Sequence, residues 1–202
     1  MSIVGTELEA VQEIQRRSGQ YLITNTLTTD ESTETGRILS LLRYESATMQ
    51  GRGWRFNQLL VKFEVGTDNR ITLPPSVLRL SSTGRSAYLQ AEMRGNQLYD
   101  LTKQTFEWSG PVTCEATFLL DWGCIPFPFK RWITMESARR YLTEQPTSTD
   151  RKNNPLFQSV QQDLTEAKVA AETHDQESAK RTVPTTLNEL YTNGFIKRPP
   201  LN

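Results

Sequence analysis

The chain has no excess of either charge, and of its 202 residues only one is a histidine and two are cysteines. Lys and Arg number 23 against 23 Asp and Glu. A protein that grips a nucleic acid backbone usually carries a net basic surplus, so the balance argues against that class without excluding a local basic face. The longest apolar runs, such as Phe118-Leu119-Leu120, are only a few residues, which excludes a membrane-spanning helix. The first residues, Met1-Ser2-Ile3-Val4-Gly5-Thr6-Glu7, lack a basic n-region and an apolar h-region, so no secretory signal is expected. The expectation is a soluble protein made in the cytoplasm. Cys114 and Cys124 fit a reducing compartment, and spacing alone leaves a disulfide between them open.

Catalytic hardware is equally scarce. There is no CxxC pair and no HExxH helix, which argues against a zinc site. His174 falls among Thr, Asp and Gln on the polar side of a helical stretch and reads as a solvated side chain; no nucleophile elbow accompanies it. Cys114 lies on the apolar face of a strand and reads as a small core hydrophobe. Glu115, Asp121 and Glu136 bracket a sheet-to-helix junction, and two carboxylates at the right separation suffice for glycoside hydrolysis. That trio is the basis of an alternative reading as a cell-wall or polysaccharide hydrolase. No catalytic site, cofactor or metal is expected.

What is present is a succession of patterned segments. Thr6-Glu7-Leu8-Glu9 matches a capping box, Leu8, Val11 and Ile14 recur at helical spacing, and Gly19 supplies a left-handed stop. Residues 21–35 read as a polar loop. Residues 35–50 form a second helix with Ile38, Leu41, Leu42 and Met49 as its stripe and Leu39 widening it. It stops at Gly51-Arg52-Gly53-Trp54-Arg55-Phe56-Asn57, with Trp54 and Phe56 folding back on its apolar face. The two glycines do not follow a strand and open a helix, which disfavours a phosphate cradle. Arg52 and Arg55 there could face DNA or an acidic partner.

From residue 59 the hydrophobic period changes to two. Residues 59–65 and 70–73 flank a turn at Gly66-Thr67-Asp68-Asn69, and residues 86–93 and 97–101 flank Gly95-Asn96, a good two-residue hairpin loop. Val112, Cys114, Ala116, Phe118 and Leu120 alternate with polar residues, predicting a strand with one buried face. Pro126 and Pro128 then pre-set a third helix to about residue 143, broadly apolar through Phe129, Trp132, Ile133, Met135, Ala138, Tyr141 and Leu142. A polar loop follows at 145–153. Asn154-Pro155 starts a fourth helix with a thin seam: Phe157, Val160, Leu164, Ala167 and Ala171. Beyond Arg181, Leu187, Leu190, Tyr191, Phe195 and Ile196 are too apolar for a solvated linker, so they must dock on the chain's own body or on a neighbouring subunit.

The fold class expected is α+β: an antiparallel helical bundle formed by N- and C-terminal helices, a small antiparallel β domain inserted between them, and an extended C-terminal tail. The boundaries expected are 1–57 and 126–181 for the discontinuous bundle, 58–125 for the β domain and 182–202 for the tail. Candidate partner-interface residues are Phe157, Val160, Leu164, Leu187, Leu190, Tyr191, Phe195 and Ile196, with Arg52 and Arg55 as channel- or partner-facing cations.

The order of several segments is itself informative. These are the helix ending in Gly-Arg-Gly-Trp-Arg-Phe-Asn, Ile71-Thr72-Leu73-Pro74-Pro75-Ser76-Val77-Leu78, and Met93-Arg94-Gly95-Asn96-Gln97-Leu98-Tyr99-Asp100. Ile125-Pro126-Phe127 then leads into Ile133-Thr134-Met135-Glu136-Ser137-Ala138-Arg139-Arg140-Tyr141. In this order the chain, from residue 7 to about residue 179, resembles the tail tubular protein A family, the adaptor or gatekeeper proteins of short-tailed phages (podoviruses). The resemblance departs at residues 21–29, where the family often carries a Gly-Glu-Pro-like turn, and in the tail after Arg181. It implies a structural virion protein, assembled in the host cytoplasm, that forms a homo-oligomeric ring, usually dodecameric. The ring would sit between the portal protein and the tail nozzle protein (tail tubular protein B), with DNA passing through its lumen during ejection without sequence-specific binding. It implies no membrane partner. A generic nucleic-acid-binding module, with salt-dependent affinity, is the third reading.

Overall fold

The computed structural model describes residues 4–20, 23–82, 90–145 and 154–181. The elements run α1 (Glu7–Arg17), α2 (Glu34–Gln50), β1 (Gln58–Phe63), β2 (Val77–Ser82), β3 (Ala91–Arg94), β4 (Gln97–Asp100), β5 (Val112–Phe118), α3 (Phe127–Glu144) and α4 (Pro155–Arg181), with a 3₁₀ turn at Trp122–Cys124. The fold is α+β. The expected tail anchors Leu187, Leu190, Tyr191, Phe195 and Ile196, half of the expected strand 86–93 and most of the expected loop 145–153 lie outside the described residues.

The helices start where their caps dictate. Thr6 accepts the Glu9 amide, while Glu9 accepts the amides of Thr6 and Gly5, a complete capping box. Gly19 ends the first helical segment at φ 76°. In α2 the cap is Thr33, whose hydroxyl accepts the Gly36 amide at 3.0 Å, so the helix begins slightly earlier than expected. Its stripe also differs: Ile38, Leu39, Leu42 and Met49 are buried, and Leu41 sits half-buried at the edge. Pro126 caps α3, which is buried on several sides because it is the central helix, in contact with α1, α2 and α4. Glu34 at the start of α2 meets Tyr141 near the end of α3, and His174 late in α4 meets Phe129 near the start of α3. Both α2 and α4 therefore run antiparallel to α3.

Buried apolar side chains form two clusters. One joins the four helices around Phe129, Ile133, Ile14, Ile38 and Leu42. The other lies in the β region and holds Phe63, Ile71, Leu73, Leu98, Trp108, Val112, Cys114 and Ala116. The strands make two small antiparallel sheets, a three-stranded one in the order β1-β5-β2 and the hairpin β3-β4. In β5, Val112, Cys114 and Ala116 face inward as the alternation predicts, while Phe118 is only half-buried. The hairpin turns through Gly95 at φ 62°, a value that a residue with a Cβ rarely adopts.

Residues 70–73 depart from the expected hairpin with β1. A turn does form, with the Gly66 amide donating to Arg70 O at 2.7 Å, but the strands do not pair. Ile71 and Leu73 instead lace onto the β3–β4 hairpin: Leu98 N donates to Ile71 O at 3.0 Å and Leu73 N to Asn96 O at 2.8 Å. The ladder of β1 goes to β5, in the register Leu60 to Glu115. Burial decides this, because Ile71 and Leu73 are fully covered by the hairpin while β1 needs the inward face of β5 to bury Phe63.

Buried amides join helices to sheet. Gln50 is fully buried; its Nε2 donates to Leu120 O at 3.1 Å and its Oε1 accepts Leu120 N at 2.8 Å. Asn57, 1 % exposed, donates to Gln50 O and Phe118 O and accepts Trp54 N. Among the described residues, no helix is long and apolar enough to cross a membrane.

Candidate functional site

The Gly51-to-Asn57 turn is the structural centre of the candidate surface. Trp54 and Phe56 return to the bundle core, and their rings also meet α3: Trp54 lies 5.1 Å and Phe56 4.6 Å from Phe129, centroid to centroid. Contact with α2 is through the Trp54 indole, which donates to Met49 O at 2.8 Å. Arg52 is exposed and its guanidinium lies over the Trp132 ring at 5.3 Å. Arg55 is also exposed, and its backbone amide donates to Asp175 of α4 at 2.9 Å. The turn therefore ties α2 to α3 and α4 while leaving both cationic heads in solvent.

The seam of α4 sits elsewhere than a partner interface requires. Val160 is fully buried and Leu164 is 7 % exposed, both inside the four-helix core, and Phe157 is packed against that core. Antiparallel packing on α3 covers Val160 and Leu164 within the chain, so in this conformation these two offer almost no surface to another subunit, while Phe157 is half-buried. His174 also differs from its expected solvated state: it is half-buried, edge-on to Phe129 with centroids 6.1 Å apart. The polar spacing around it gave no sign that the start of α3 would reach it.

The carboxylate trio does not converge. Asp121 lines a groove of about 720 Å³ with Thr6, Leu8, Leu42, Arg43 and Trp122. Glu136 lines a different groove of about 430 Å³ and is held by Arg139. Glu115 lines neither groove. Among the described residues no cluster of His, Cys, Asp and Glu could hold a metal ion. Both cysteines are free thiols; Cys114 is buried, and that burial pushes its pKa up, which suits a packing role.

Two features escaped the sequence reading. Leu59 and Leu60, 57 % and 68 % exposed, lie on the edge strand β1. Adjacent leucines in a period-two segment point to opposite faces, so one of them must leave whichever face packs; that signal was available. The second is an ion-pair junction, Arg17 and Arg131 converging on Asp163 at 2.5 and 3.4 Å, which pins α1 and α3 to α4. Residues so far apart in sequence gave no local sign of it.

No curated protein matches the chain. The family model for tail tubular proteins matches residues 8–181, which takes in every helix and strand described above except the first residue of α1. On that match, the chain belongs to the tail tubular protein family.

Proposed function

We infer that, as a member of the family, the chain is a structural component of a phage tail, located in the virion. We propose that it is the adaptor: a ring of identical subunits, dodecameric by resemblance, that joins the portal protein to the tail nozzle and lines part of the DNA-ejection channel. The family match from residue 8 to residue 181 carries this reading. The outer edge of β1, unpaired among the described residues, and its exposed leucines support it, since unpaired strand edges and uncovered apolar side chains are the features that assembly would cover. A neutral total charge suits a conduit, because every phosphate contact would add affinity for the polymer that must move through it. The dispersed acids Glu115, Asp121 and Glu136 give no support to the hydrolase alternative.

With Val160 and Leu164 committed to the bundle, contacts to the portal or a neighbour fall to exposed faces and to the tail anchors Leu187, Leu190, Tyr191, Phe195 and Ile196. The test is native mass measurement of the protein alone and mixed with purified portal. The full chain should yield a discrete multimeric complex with the portal. A variant lacking residues 182–202 should remain a folded monomer and fail to join. Full docking by the truncated chain would remove the tail from the interface, and no complex with the intact chain would refute the adaptor role.

A further inference from the structure

A second surface is built around Trp132. Its ring is 5 % exposed and forms part of the floor of the 430 Å³ groove between α2, α3 and α4, together with Met49, Ile133 and Leu164. Two cations reach the ring from different elements: Arg52 from the turn after α2 at 5.3 Å, and Lys168 from α4 at 6.0 Å. Both are exposed. The carboxylates in the groove wall are already committed, Glu45 to Arg140 at 2.5 Å and Glu136 to Arg139 at 2.5 Å. Arg52 and Lys168 make no ion pair with any described residue. The result is an apolar floor with two unneutralised positive charges at its rim.

We propose that this groove binds a carboxylate-bearing segment of a partner protein, with acidic side chains pairing Arg52 and Lys168 and an apolar neighbour resting on the floor. Charge complementarity identifies the occupant. A carboxylate approaching the rim meets two free cations, and the partly shielded site strengthens each charge-assisted hydrogen bond. A nucleic acid backbone fits poorly: Glu45 and Glu136 line the same wall, and two cations are fewer than the six or more phosphate contacts of a typical duplex binder. The volume also lies near the lower end of pockets of about 300–1,000 Å³ that enclose a few side chains or a small ligand.

The experiment titrates the full chain into a fluorescein-labelled peptide, Glu-Leu-Glu-Glu-Leu, and follows anisotropy. A Gln-for-Glu version and a single-stranded oligodeoxynucleotide serve as parallel probes. The acidic peptide should bind and the Gln peptide should bind at least about tenfold more weakly. Arg52→Gln and Lys168→Gln should each weaken binding about fivefold or more, Arg52→Lys should recover part of it, and Val169→Ala should change nothing. Thermal melts of every variant should overlay the parent, since both cations are exposed. The proposal is overturned by absent binding of the acidic peptide up to about 1 mM, or by unchanged affinity in both charge variants. It is overturned equally by an oligonucleotide that binds more tightly than the peptide and loses affinity in the same variants, because the groove would then be reading phosphate.

Discussion

Asn57 uses its side chain on backbone belonging to three separate stretches of chain. Its Oδ1 accepts the Trp54 amide at 2.8 Å, and its Nδ2 donates to Gln50 O at 3.0 Å and to Phe118 O at 2.8 Å. Asn57→Ala would orphan these groups in a buried setting, so a loss of about 2–4 kcal/mol is expected. Urea unfolding measures it, and a change below about 0.5 kcal/mol would show that water replaces the amide without penalty. Asn57→Asp should be no better, because a carboxylate would face two carbonyl oxygens. Nothing in the sequence distinguished Asn57 from an ordinary turn asparagine: its polarity predicts solvent, and only the return of β5 beside the end of α2 encloses it. Gly36 was hidden for the same reason. A Cβ at this position would lie 1.9 Å from Asp30 O, a backbone atom that cannot step aside without rebuilding the loop. Gly36→Ala is therefore expected to destabilise despite alanine's better helix propensity, lowering the melting temperature by several degrees.

Among the elements, α1 shows how acid would loosen the fold. Glu9 titrates below the ordinary carboxylate range because the Thr6 amide, then that of Gly5, donates to its ionised form. For Glu13, burial pushes the pKa up, but hydrogen bonds and charge from Arg17 and Arg16 outweigh it and the net shift is downward. A folded-state pKa below the unfolded one means that the unfolded chain binds protons first. The stabilisation is therefore present above about pH 4.3, the unperturbed glutamate value, and is lost as pH falls below it. Glu13→Gln should flatten the decline of melting temperature between about pH 5 and pH 3; an unaltered slope would place acid sensitivity elsewhere. In α4 the seam makes the contrast sharper. Leu164→Ala should cost about 2–4 kcal/mol, since the core must leave a cavity or collapse, while Val169→Ala, at a site 58 % exposed, should stay within about 0.5 kcal/mol. This seam was fully legible as a pattern; its destination was not. Periodicity showed which face of α4 is apolar, and the breadth of the stripe in α3 showed a helix surrounded on several sides. Neither states which face meets which. The same limit applies to the sheet. Alternation identified β5, but its position between β1 and β2 depends on long-range pairing, and the local turn at Gly66 wrongly suggested that residues 70–73 would return onto β1.

At the scale of the molecule, the separation of the two apolar clusters is the main organising fact. No residue belongs to both, and polar side chains, chiefly Gln50 and Asn57, carry the link. Hydrogen bonds between backbone and buried amides hold geometry well but transmit cooperativity weakly compared with shared apolar burial. We therefore propose that the division at residues 57–58 and 125–126 is energetic as well as spatial. Native-state hydrogen exchange should resolve two opening free energies, the higher for amides of α2 and α3, whose cluster is larger, and the lower for those of β1, β2 and β5. Ile71→Ala, at a fully buried site in the smaller cluster, should then lower protection across β1, β4 and β5 while leaving Ile133 and its neighbours in α3 unchanged. Gln50→Ala should have a different signature: it removes both hydrogen bonds to Leu120 and the one to Ser46, and opens a void at the junction while keeping every side chain of both clusters, so it should widen the gap between the two opening energies. If instead Ile71→Ala reduces protection equally in α3, the polar junction is coupling the halves as strongly as a common core would. A subunit built that way would transmit strain at the outer edge of β1 into the bundle as a single body.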